Sequence, residues 1–125
     1  MKQTFKKTER LISRKIISSL FEDGQSFTTK PYRIVWKKVT FESATPVQVV
    51  ISVGKKYFPR AVDRNFIKRR IREIYRKNKE TLYSTLSEKN TQCALMILYT
   101  GNKIIDFKSM EITLINGLKV LEKKI

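Results

Sequence analysis

The stretch VQVVISVGKKYFPRAVDRNFIKRRIREIYRKNK, residues 47–79, changes its period midway. Up to Val53 the period is two: Val47, Val49, Ile51 and Val53 share one face of a strand, and Gln48, Val50 and Ser52 take the other. From Val62 on, a turn of about 100 degrees per residue gathers Ile67, Ile71, Ile74 and Tyr75 on one side of a helix. The loop between them, residues 54–59, carries Lys55 and Lys56. A strand that hands over to a helix is half of a crossover unit. The other half is QCALMILYT, apolar at successive positions as a strand buried on both faces requires, and it is expected to run parallel to the first.

Upstream, Ser13 is placed to cap a helix with Ile16, Ile17, Leu20 and Phe21 on one side and Gly24 at its end. Strands are expected over 26–28 and 32–39, where Tyr32, Ile34 and Trp36 alternate with Arg33, Val35 and Lys37. Pro31 suits a strand start or an edge. Downstream, Asp106 is an N-cap candidate for a last helix whose Phe107, Met110, Leu114, Leu118 and Leu121 form one apolar stripe. The expected order is helix, three strands, helix, strand, helix, an α/β two-layer sandwich built as one domain over 1–125. Residues up to about 12 are expected to be a short, basic, irregular tail.

Composition narrows the function. Lys and Arg number 27 against 11 Asp and Glu, a net charge of +16, so partners should be anionic, nucleic acid first among them. The single Cys93 forms no intrachain disulfide and there is no His, which excludes ordinary zinc sites and fits the cytoplasm. No apolar run approaches the roughly 20 residues of a membrane helix, and neither a membrane nor a small-molecule substrate is expected as partner.

The basic helix segregates its charge. Asn65, Lys68, Arg69, Arg72 and Arg76 share a band opposite the apolar side, whereas Phe66, Arg70, Glu73 and Lys77 make a mixed third side. Like charges at these spacings cost an isolated helix about 0.2–0.5 kcal/mol per pair. Solvated faces are the common use of charge runs, but folding alone favours mixing in acids. Residues 55–79 hold eleven basic and two acidic side chains, net +9 of the +16. The band reads as a surface for phosphates, with Arg forks on the oxygens and the Asn65 amide free for phosphate, sugar or base.

VGKKYFPRAVDRNFIKRRIREIYR closely resembles the signature of the bacterial ribonuclease P protein subunit: a Lys-Lys loop, Ala-Val, any residue, Arg-Asn, then Ile-Lys-Arg and an Arg-Glu pair. FKKTERLISRKIISSLFEDGQSF is similar to that family's first helix. The resemblance implies a left-handed βαβ crossover, a fold type shared with a domain of a small-subunit ribosomal protein. It also implies a function: binding the catalytic RNA of ribonuclease P and the precursor tRNA, and assisting removal of the 5′ leader. Carried over, the contacts to catalytic RNA are Lys55, Lys56, Arg64, Asn65, Lys68, Arg69 and Arg72, to which the charged band adds Arg76. The leader is implied to lie between the first helix and the sheet, against Ile17, Phe21 and either Val35 or Trp36. Two departures stand out: Phe66 replaces the family's usual basic residue after Arg-Asn, and the loop 55–61 is longer by a residue than in many relatives.

Phosphodiester hydrolysis by a protein calls for clustered carboxylates on Mg²⁺ or a His pair, and this chain's acids are scattered. No catalytic or metal-ligating residue is assigned. Mg²⁺ is expected to be held mainly by the RNA. The alternatives are a structural ribosomal or ribosome-assembly protein, against which the Lys-Lys to Arg-Asn to Lys-Arg spacing speaks, and a free-standing protein nuclease.

Overall fold

The structure, a computed structural model, describes residues 7–125; positions 1–6 of the expected tail lie outside them. The elements are α1 (Arg14–Asp23), β1 (Gln25–Thr29), β2 (Tyr32–Lys38), β3 (Val47–Val53), α2 (Ala61–Asn78), α3 (Glu80–Glu88), β4 (Cys93–Tyr99) and α4 (Phe107–Lys124). The strands form one sheet in the order β1-β2-β4-β3, antiparallel except for the parallel pair β3 and β4. β4 is thus interior, as its unbroken apolar run requires.

Register assigns each side chain to a face. Ser26, Val35, Met96 and Val50 form one row across the sheet, and Phe27, Ile34, Ile97 and Ile51 form the next, pointing the other way. The helices α2, α3 and α4 cover the second face, over Ile34, Trp36, Val49, Leu95 and Ile97. On the first face α1 packs over Val35, Ala94 and Met96. Gly117 lets α4 come close to the sheet, since a Cβ there would stand 2.8 Å from Ile34 Cδ1.

The hand of the crossover follows from two backbone hydrogen bonds. Pro46 O accepts from Cys93 N at 2.9 Å, so Pro46 and its alternates turn toward β4, whereas Val49 O accepts from Leu11 N at 2.9 Å and turns away from β4. Val47, Val49 and Val53 point their side chains into the helix-covered core. For an L-residue in a strand drawn upward with its side chain toward the viewer, its own N–H and C=O point right. Seen from the helices, β4 therefore lies to the left of β3. The crossover is left-handed, against a rule that about 98% of such units obey.

The caps behave as the sequence indicates. Ser13 accepts from Ile16 N at 3.3 Å, and Asp106 accepts from Ser109 N at 3.0 Å. Gly24 ends α1 in an extended conformation; what demands glycine there is space, because a Cβ would stand 2.5 Å from Leu20 O and 2.9 Å from Val35.

Two features correct the sequence reading. The tail expected to be irregular through residue 12 is an ordered strap from Lys7 on: a 3₁₀ turn over Lys7–Glu9, then a parallel bridge from Arg10 to Val49. Leu11 is buried under α1. Glu9 is also buried, paired with Lys79 and accepting from Tyr83 Oη at 2.8 Å, while Tyr75 Oη donates to Tyr83 Oη at 3.2 Å. Lys79, counted with the basic stretch in sequence, belongs to the interior. The second correction is α3, absent from the expected order. Lys79 keeps helical dihedrals between α2 and α3, and no glycine or proline marks the corner, so the chain bends without a local breaker. Its Leu82, Tyr83 and Leu86 enter the main core.

The connection between β2 and β3 is held by one side chain. Gln92 Oε1 accepts from Phe41 N at 2.9 Å, and its Nε2 donates to Ser43 O at 2.7 Å and Thr45 O at 2.9 Å. Cys93 beside it is buried, and burial pushes its thiol up to about 12, with a backbone hydrogen bond at Lys37 and the Lys38 charge pulling weakly down. The folded protein therefore keeps a neutral thiol at pH 8. Iodoacetamide is expected to leave Cys93 unmodified there and to alkylate it readily in denaturant, as followed by mass; rapid labelling of the folded chain would contradict this burial.

Candidate nucleic-acid interface

Helix α2 lies on the core through Ile67, Ile71, Ile74 and Tyr75, all fully buried, so the predicted apolar side is the one that meets the sheet. The opposite band then faces outward. Asn65, Arg69 and Arg72 are exposed, Lys68 is half-buried, and Lys55 and Lys56 are exposed on the loop, with Lys56 Nζ 5.4 Å from the Tyr57 ring centroid. No carboxylate among the described residues pairs with Lys55, Lys56, Lys68, Arg69 or Arg72.

Two of the expected contact residues serve the protein itself. Arg64 Nη1 donates to Phe58 O at 2.9 Å and to Pro59 O at 2.8 Å, which ties the end of the Lys-Lys loop to the first turn of α2. Arg76 pairs with Glu73 at 2.6 Å, and Lys77 joins them at 3.5 Å. The Arg76 hydrogen bond holds the Glu73 carboxyl below its ordinary range, and Glu73 in turn holds the guanidinium above its own. Arg76 therefore stands in the band by angle but is neutralised by its neighbour.

The strap adds a cation that periodicity does not reveal. Between it and α2 runs a groove of about 270 Å³ along the free edge of β3, lined by Arg10, Leu11, Ile12, Val49, Lys68 and Arg72 among others. Arg10 reaches this groove only because a short segment far away in sequence bridges to Val49, so no local pattern signals it.

The first face of the sheet forms the second candidate surface. Ile16, Ile17 and Leu20 of α1 pack with Val35 and Met96, and Val50 borders them. Phe21, on the same helix, is 68% exposed rather than buried, so its ring is available. Trp36 is the correction here. Its row, Gln25, Trp36, Leu95 and Val49, faces α2 and α4, where the indole is buried and its Nε1 meets no acceptor among the described residues. Of the two strand positions left open by the sequence, Val35 is on the α1 side. Val35 is the one apolar side chain between Arg33 and Lys37 on that face of β2, and the alternation marks the Tyr32, Ile34 and Trp36 face as the main core. The row Thr28, Arg33, Leu98 and Ser52 extends the same face, bringing in Arg33, whose Nη2 lies 3.4 Å from Ser26 Oγ.

Among the described residues no three acidic or thiol groups come together as a metal set, and none of the helices is long and apolar enough to cross a membrane. The fold and surface thus define a class: a basic α/β protein with a left-handed crossover, an unneutralised cationic helix face, and a half-covered sheet face beside it. Residues 5–120 match the family model described as Ribonuclease P. Over 105 residues the chain is 35% identical to the ribonuclease P protein component of Porphyromonas gingivalis, across 84% of this chain and 77% of that one. It is 32% identical over 108 residues to the corresponding protein of Chlorobium phaeobacteroides, across 80% and 74% of the two chains. The solved ribonuclease P protein of Thermotoga maritima shares the fold, with a TM-score of 0.70 at 24% identity over 90% of this chain and 96% of that one. The Staphylococcus aureus ribonuclease P protein does so with a TM-score of 0.67 at 20% identity, over 90% and 94%. The chain belongs to the ribonuclease P protein family.

Proposed function

We propose that this protein is the subunit that binds the catalytic RNA of ribonuclease P and the 5′ leader of precursor tRNA, supporting RNA-catalysed, Mg²⁺-dependent removal of that leader. The observation that carries the reading is the band of Lys68, Arg69 and Arg72, with Lys55 and Lys56 beside it, lacking carboxylate partners among the described residues. Left bare, these cations repel one another; phosphates at fixed spacing relieve the repulsion and release counterions. Arg64 positions the loop through its carbonyls, and Asn65 supplies a neutral donor and acceptor within the band.

The leader lies across the first sheet face, with Ile17 and Val35 as its apolar wall, Phe21 as a stacking surface and Arg33 near its phosphates. Stacking tolerates sequence variation because every base has a π-face. In this reading Mg²⁺ is held mainly by the RNA; among the described residues no three acidic or thiol side chains stand together as a metal set. The protein's part is to neutralise phosphates, which lets the RNA hold substrate and metal at lower ion concentration.

The direct test is precursor tRNA cleavage by ribonuclease P RNA from the same organism at low Mg²⁺. Protein is expected to restore cleavage there; an identical Mg²⁺ requirement with and without it would remove the proposal. If about five phosphates are neutralised, log affinity for the RNA should fall against log salt with a slope of roughly 3.5–4.5, and a flat dependence would count against the cationic face. Phe21→Ala is expected to weaken precursor tRNA binding by roughly tenfold, the loss of one stacked base, while mature tRNA is unaffected. Equal losses for both tRNAs would detach the leader from this face.

A further inference from the structure

Phe66, the residue that departs from the family's usual cation, is 38% exposed on the flank of α2. Its ring is nonetheless held. Arg70, one turn on, places its guanidinium carbon 4.3 Å from the ring centroid. That guanidinium is itself held: Nη1 donates to Ile105 O at 3.2 Å, and the Phe107 ring centroid is 5.8 Å away. Asp106, whose carboxyl is held low chiefly by its hydrogen bonds to Ser109, also feels the Arg70 charge. Arg70 is therefore held by the protein itself. It backs an aromatic ring.

The ring stands where an RNA base would find it. At about 100 degrees per residue, Phe66 lies roughly 60 degrees from Arg69 around the helix, at the margin of the unpaired cationic band. Val62, one turn earlier and 61% exposed, extends the apolar strip. A second copy of this chain is a poor occupant, because each copy carries +16 and would bring its own cationic band against the other. An unpaired nucleotide suits both parts of the surface, its base on the ring and its phosphate toward Arg69.

We propose that Phe66, backed by Arg70, is a stacking platform for one unpaired nucleotide of the RNA that α2 holds. The proposal rests on the reading of α2 as the RNA-binding helix. It replaces a salt-sensitive phosphate contact with a salt-insensitive one, and this difference makes it testable apart from that reading.

Binding of ribonuclease P RNA is measured against salt for Phe66→Ala, Phe66→Leu and Arg69→Ala, with thermal melting as the control for folding. Phe66→Ala is expected to weaken binding on the order of 5- to 100-fold with an unchanged salt slope. Phe66→Leu, apolar but without a π-face, should lose nearly as much. Arg69→Ala should lower the slope by about 0.7–0.9. Phe66→Trp adds an exposed indole to the buried Trp36, and RNA is expected to quench the added emission. If Arg69→Ala weakens binding while Phe66→Ala does not, the platform is overturned and the helix reading stands. If neither weakens binding, the reading beneath has failed as well. Wild-type affinity in Phe66→Leu overturns stacking in favour of plain apolar contact, and a dimer abolished by Phe66→Ala gives the ring to a second copy and overturns the platform too.

Discussion

Replacing both Arg69 and Arg72 by Ala is expected to weaken binding of ribonuclease P RNA on the order of a hundredfold, while the melting temperature stays where it is. Both guanidiniums are exposed and carry no partner among the described residues, so their removal costs the fold nothing and relieves repulsion along α2. In the complex each supplies charge-assisted hydrogen bonds to phosphate, about 1.5 kcal/mol apiece at the lower end for exposed groups, which for two approaches a factor of a hundred. The salt slope should fall by roughly 1.4–1.8, because two fewer counterion equivalents are released. Unchanged affinity, or lost affinity with an unchanged slope, would show that this face does not carry the phosphate contacts. Arg76→Ala is expected to matter far less for RNA, since that side chain is already engaged with Glu73.

The largest effect on stability is expected at Glu9. Its carboxylate and the Lys79 ammonium are both buried, and Tyr83 donates a further hydrogen bond to the carboxylate. Removing one member takes from the other its buried ion-pair partner, and breaking a buried pair this way costs about 3–5 kcal/mol. That is a fifth or more of the roughly 5–15 kcal/mol typical of a whole domain. Glu9→Ala, or Lys79→Met, should therefore lower the melting temperature by about 10–20 °C for a chain of this size. The double change Glu9→Leu with Lys79→Met removes both charges and should recover much of the loss, because no buried charge then lacks its counter-ion in this pair. Urea unfolding of the two singles and the double measures this. Single losses below about 1 kcal/mol would mean the pair is solvated and the strap only loosely docked. The strap also connects stability to function: released, it takes Arg10 away from the groove it shares with Lys68 and Arg72.

Much of the scaffold was legible because the relevant signals are local. Ser13 and Asp106 cap their helices by bonding an amide three residues on, a relation written in adjacent sequence. The period change at residues 53–62 separated β3 from α2 and put Ile67, Ile71 and Ile74 inward, and the apolar run of β4 announced an interior strand. α3 escaped notice because the corner at Lys79 has no breaker and its three core residues follow directly on α2.

In the candidate site the sequence separated the cationic side of α2, but not the spatial partners of individual side chains. Between Val35 and Trp36 the sequence left the leader contact open; sheet register sends Trp36 to the face under α2 and α4 and places Val35 against α1. Arg70, on the mixed third side, backs Phe66; Lys79, counted with the basic stretch, is buried against Glu9.

By itself the sequence determined which side of each helix is apolar and that cations have a side of their own, since periodicity is a property of the covalent chain. Only the tertiary structure decided which of those cations remain unspent, because a charge is neutralised by whatever lies within a few ångströms in space. Glu9 and Lys79, seventy positions apart along the chain, are hydrogen-bonded partners in the fold.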